Sequence, residues 1–121
     1  MAIPSAVWNE AIALANVAGD REILKELIEI WLRQTPRLSS DIIRAVQIEN
    51  PDELHLAAHT LKGSLQLFGM DTAASVAAAL ENAGRTKNLA GGADLVHQLE
   101  TELALVVPQV IAYQATHESA H

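Results

Sequence analysis

His59, Lys62 and Gly63 stand close together in the stretch AAHTLKGSLQLFG, residues 57–69. Residues three and four positions apart share one face of a helix. Lys62 and Gly63 therefore fall on the face of His59, with His55 one turn before it and Gln66 extending it. A nucleophile, a cation and a bare backbone on one face suit phosphoryl transfer to histidine. An exposed imidazole, with an ordinary pKa of ~6.5, is largely neutral at pH 7 and needs no general base. A lysine offsets the charge of a bound phosphoryl group. Glycine costs a helix interior ~1 kcal/mol relative to alanine, but it lets a partner's backbone come close. Leu56, three residues before His59, and Leu67 are expected to add an apolar rim to this docking surface.

The parts that are missing narrow the chemistry further. There is no Gly-rich phosphate loop and no obvious metal cluster, the usual means of holding ATP and activating its phosphates. The expected role is that of a phosphocarrier, not an enzyme, with no cofactor of its own and with Mg²⁺ supplied by a partner. His55 and His59 have the i, i+4 spacing of a Zn²⁺ or Cu²⁺ pair, but no third ligand can be placed, so no metal site is assigned. A di-metal bundle needs Glu-x-x-His on two helices. That spacing occurs only at Glu118–His121, in the tail.

Helices must carry these residues, because strict alternation is rare and helical spacing is everywhere. A short first helix is expected over about 5–17. Asp20 is a good N-cap for a long second helix with Leu24, Leu27, Trp31, Leu38, Ile42 and Val46 on its apolar side and a kink at Pro36. Pro51, Asp52 and Glu53 suit the first turn of a third helix. Its core stripe is Leu54, Ala58, Leu61, Leu65 and Phe68, and His59 points away from it. Gly69 is read as its αL cap. Asp71 is expected to cap a fourth helix ending near Ala83, with the small face Ala73, Val76, Ala77 and Leu80. GRTKNLAGG reads as a loop that carries Arg85 and Lys87. A fifth helix begins near Ala93, with Val96, Leu99, Leu103, Val106 and Val110 inward, and kinks or ends at Pro108. Residues 115–121 read as a frayed tail. The expected fold is all-α: an antiparallel up-down-up-down four-helix bundle with a short N-terminal capping helix.

Composition agrees. The chain has 121 residues, expected to form one domain. It is 50% hydrophobic but only 3% aromatic, so aliphatic side chains must fill the core. The formal net charge of −7 speaks against binding nucleic acid or an anionic membrane. Cysteine is absent, which excludes disulfides and thiol chemistry. No basic stretch precedes an apolar core at the N-terminus, and no apolar run spans a bilayer. A monomer in the cytoplasm is expected.

The stretch AAHTLKGSLQLFG resembles the signature of histidine-containing phosphotransfer (HPt) domains, roughly H-x-x-K-G-(S/A) with a later Gly. The resemblance covers about residues 7–107. VAGDREILKELIEIWLRQTPRLSSDIIRAV is similar to the second helix of such domains, and LENAGR to the end of their fourth. It implies that His59 is phosphorylated, that Lys62 stabilises the phosphoryl group and that Gly63 permits docking. It further implies response-regulator receiver domains or a hybrid histidine kinase as partners, with phosphate passing from a receiver aspartate onto His59 and onward in a two-component phosphorelay. A helical adaptor that docks receivers without phosphorylation is the alternative. Leu65, Gln66 and Leu67 depart from the small or polar residues common at these positions in the family, which bears on partner identity more than on the phosphoryl chemistry.

Overall fold

The computed structural model describes residues 8–118. The beginning of the expected first helix and the last residues of the tail, His121 among them, lie outside the described residues. Five helices follow in order: α1 Glu10–Asn16, α2 Arg21–Gln47, α3 Pro51–Leu67, α4 Asp71–Thr86 and α5 Gly92–Glu118.

Each start has a local cause. Asn9, Asp20 and Asn50 are in extended conformation, and their side chains accept N–H bonds from the first turns of α1, α2 and α3. Such caps satisfy donors that have no partner within the helix. Helix α4 differs from expectation. Its N-cap is Met70, with no side-chain cap bond. Asp71 is the first helical residue, where its charge favours the positive end of the helix dipole. Gly69 ends α3 at φ +66. A Cβ there would come within 2.7 Å of the Cβ of Asn9, so both conformation and space require glycine.

Helices α2, α3, α4 and α5 each pack on the next, and α5 packs back on α2. The edge between α3 and α4 is therefore opposite the edge between α2 and α5. The core is largely as the helical spacing predicts. Leu54, Ala58, Leu61, Leu65 and Phe68 are buried in α3 and its cap, as are Val96, Leu99, Leu103, Val106 and Val110 in α5. Trp31 meets Phe68 edge to face, with ring centroids 5.8 Å apart. Helix α1 lies across one end: the Asn9 N–H donates to the Phe68 carbonyl at 2.9 Å, and the Asn16 side chain donates to that of Leu67 at 2.9 Å. Trp8 packs at this end against Tyr113, ring centroids 4.7 Å apart.

Three boundaries move. Helix α4 does not stop near Ala83 but continues through Gly84 and Arg85 to Thr86. Helix α5 passes Pro108 and runs to Glu118, so most of the expected tail is helical. A proline inside a helix removes one backbone bond, and packing on both sides of it carries the helix onward. Helix α2 likewise runs unbroken through Pro36. Among the described residues, no helix is long and apolar enough to cross a membrane.

Candidate functional site

The site lies on the α3–α4 edge. Two small residues shape it in opposite ways. Gly84 faces α3 so closely that a Cβ would lie 2.6 Å from the main-chain nitrogen of His55 and 2.6 Å from the carbonyl oxygen of Pro51. This contact draws the two helices together. Gly63, one turn beyond His59, faces open space, with nothing within 4 Å of where its Cβ would be. Packing inside the chain therefore explains Gly84 but not Gly63.

One turn before Gly84, Glu81 reaches across to α3. Its Oε2 is 2.7 Å from His59 Nδ1, and its Oε1 is 2.5 Å from Lys62 Nζ. Lys62 foremost, with His59 adding to it, holds the Glu81 carboxyl below its ordinary value, against a smaller opposing effect of burial. Glu81 is thus ionised at neutral pH, and an ionised carboxylate only accepts. Nδ1 of His59 must then carry the proton and donate. In the neutral ring this leaves the lone pair on Nε2. The His59 side chain is 62% exposed, whereas that of Glu81 is 15% exposed. The arrangement is an outward nucleophile held from below by a mostly buried anion.

The remaining predicted residues surround this centre. His55 Nδ1 stands 3.4 Å from the Glu81 carbonyl oxygen, and its ring lies nearly parallel to that of His59, with centroids 6.2 Å apart. Among the described residues, no group of three or more metal-binding side chains is assembled, here or elsewhere. Gln66 is exposed on the same face. Leu56 is 67% exposed, next to a shallow depression between α2 and α3 lined in part by Leu38, Ala57 and Thr60. Leu67 is only partly exposed, because it packs against the core. Arg85 lies in the last helical turn and bonds the side chain of Asn82, while Lys87 is exposed.

Sequence reasoning missed Glu81 and Gly84. Lys62, expected to stabilise a phosphoryl group, is engaged by Glu81. A signal was available in LENAGR, where a carboxylate and a glycine three apart share a helical face. Reading Gly84 as the start of a loop hid it.

A family model, the Hpt domain, matches residues 26–108. No curated protein matches the chain. Among solved structures, the chain is similar in fold to the crystal structure of histidine-containing phosphotransfer protein B (HptB) from Pseudomonas aeruginosa PAO1. The TM-score is 0.78 at 18% identity, covering 94% of this chain and 96% of that one.

Proposed function

This chain belongs to the Hpt domain family, whose members are phosphocarriers in phosphorelays, and from that premise we propose that His59 Nε2 is its phosphoryl acceptor. The observation that carries the reading is the Glu81 contact, which directs the free lone pair of an exposed imidazole outward. The donor is proposed to be the aspartyl phosphate of a receiver domain. The Nε2 lone pair attacks phosphorus, an N–P bond forms, and the P–O bond to the aspartate breaks with the carboxylate as leaving group. The ring keeps its Nδ1–H and gains positive charge, which the Glu81 carboxylate faces. Transfer onward to a second receiver is the same step reversed.

Lys62 and Gly63 have separate parts in this proposal. Lys62 exchanges Glu81 for the phosphoryl oxygens, a short swing because its Nζ already lies one carboxylate away from the imidazole. Gly63 leaves room for the receiver's active-site loops, and exposed Leu56 gives the interface an apolar anchor. The receiver brings its own Mg²⁺, and this chain supplies no ATP site and no cofactor. A monomer in the cytoplasm fits the role.

The test is phosphate uptake from a phosphorylated receiver domain with Mg²⁺. Acid-labile, base-stable label is expected on the wild type and absent from His59→Gln. Label on both places the acceptor elsewhere. Label on neither, with docking retained, favours the phosphorylation-independent adaptor.

A further inference from the structure

Phosphoryl chemistry at α3 calls on one histidine, yet the helix presents two. His55 and His59 are one turn apart, their rings 13° from parallel with centroids 6.2 Å apart. Both turn Nδ1 toward the same residue of α4. Nδ1 of His59 lies 2.7 Å from the Glu81 carboxylate, and Nδ1 of His55 lies 3.4 Å from the Glu81 main-chain carbonyl oxygen. The second contact is long, but a carbonyl oxygen can only accept. Each contact therefore calls for the proton on Nδ1 and leaves the lone pair of the neutral ring on Nε2.

Both Nε2 atoms are open. The side chain of His59 is exposed. His55 is half-buried, but its Nε2 is not one of the buried side-chain atoms left without a partner, and no hydrogen bond covers it. Imidazole nitrogens are ligands for Zn²⁺. A ligating histidine donates its other ring N–H to a carboxylate or a main-chain carbonyl, which fixes the tautomer and raises the basicity of the ligating nitrogen. Glu81 offers one acceptor of each kind, one to each ring. Lys62, the cation beside His59, is already paired with Glu81, which weakens its opposition to a metal ion.

We infer that His55 Nε2 and His59 Nε2 together bind one Zn²⁺ ion, with water in its remaining positions. Tetrahedral Zn–N bonds of about 2.0–2.1 Å set the two nitrogens about 3.4 Å apart. The rings therefore converge from their parallel stance, turning about their Nδ1 contacts. Two protein ligands, where structural zinc sites have four, hold the ion reversibly. Mg²⁺ is not a competitor, because it prefers oxygen ligands. Zinc occupies the lone pair that accepts the phosphoryl group. Under the proposed role of His59, on which this consequence alone rests, zinc is an inhibitory ligand of the relay.

The test is a titration of ZnCl₂ into the ¹⁵N-labelled full chain, followed at the histidine ring nitrogens, with MgCl₂ as control. Nε2 of His55 and of His59 are expected to shift together and saturate, while both Nδ1 atoms keep their protons and MgCl₂ moves neither. His55→Gln and His59→Gln should each weaken binding at least about 10-fold, since the second imidazole acts at high effective concentration. No saturation by millimolar zinc overturns the inference. So does saturation that both variants leave unchanged, which places the ion at other histidines. In the uptake assay, zinc at about 10 times its Kd should slow the wild type about 10-fold. His55→Gln, compared with its own zinc-free rate, should need at least about 10-fold more zinc. Equal sensitivity assigns the inhibition to the receiver and overturns the regulatory part. A titration that saturates on a chain that takes up no phosphate upholds the zinc site and refutes the phosphocarrier role instead.

Discussion

Glu81 on α4 holds its Oε2 2.7 Å from Nδ1 of His59 on α3. The distance matters because the two ring nitrogens are chemically distinct, and the bond made by one decides what the other can do. With the proton fixed on Nδ1, Nε2 is left with the lone pair that the proposed transfer uses. The histidine is thus positioned by a residue from another helix, 22 positions later in the chain.

Glu81→Gln keeps the shape but replaces the anion with an amide. The amide no longer dictates the tautomer and faces the charged phosphohistidine ring without compensating it. Phosphoryl uptake from a receiver is expected to slow by about 10-fold or more, with the helical content unchanged. Stopped-flow or autoradiographic uptake rates check this. An unchanged rate makes Glu81 a mere surface partner of Lys62.

Gly63→Ala should move stability and function in opposite directions. No atom lies within 4 Å of the new Cβ, and alanine is the better helix former by about 1 kcal/mol. The isolated domain should therefore unfold at a higher urea midpoint. Gly63→Gln, whose Cβ enters the same open space, should block phosphoryl transfer while leaving the bundle folded. Normal transfer by the Gln variant removes Gly63 from the docking surface.

Gly84→Ala is expected to behave in the contrary way. Its Cβ meets main-chain atoms of Pro51 and His55 at 2.6 Å, and backbone has no rotamer by which to give way. Overpacking of this kind costs about 1–3 kcal/mol. The helices must part, and Glu81, one turn away, withdraws from His59. A lower melting temperature together with slower uptake is expected. A variant as stable as the wild type refutes the close-contact reading.

The Glu81 carboxyl also predicts a pH dependence. Its value is lowered in the folded chain, chiefly by Lys62 and then by His59, from an ordinary 4.5. Below that ordinary value the unfolded chain binds the proton first, so folding loses support as the pH falls. The contribution is fully present above pH 4.5 and is lost through the lowered folded value. Urea midpoints of the wild type and Glu81→Gln should therefore converge as the pH drops below 4.5. A gap that stays constant from neutral to strongly acidic pH rules this out.

Much of this architecture was legible in the residues, for identifiable reasons. The stripe Leu54, Ala58, Leu61, Leu65 and Phe68 is regular because α3 is buried along one side, and that regularity places His59 outward. Caps with a side-chain signal, Asp20 and Asn50, sit where expected or beside it. Boundaries without such a signal were misplaced. Met70 offers no cap bond, so the capping signal at this boundary is Asp71, one residue too late. Gly84 and Pro108 look like helix stops when only local propensity is weighed. Contacts with α3 and α2 hold their helices together, and propensity is a weak prior against packing. Glu81 was hard to see for a related reason. Its spacing to Gly84 hints at a shared face, but its meaning comes from the side chains of another helix.

The contact between Lys62 and Glu81 has a consequence for traffic between partners. Without a phosphoryl group, the lysine and the carboxylate offset each other beside His59. In the proposed transfer the phosphoryl oxygens carry about two negative charges and the ring about one positive, so the patch gains about one net negative charge on a chain that is already at −7. Under the proposed function, loaded and unloaded forms present different electrical faces to a protein arriving at one docking surface. A donor that has just given up its phosphate would leave a more negative surface than the one it met, and an acceptor would approach a surface labelled as full.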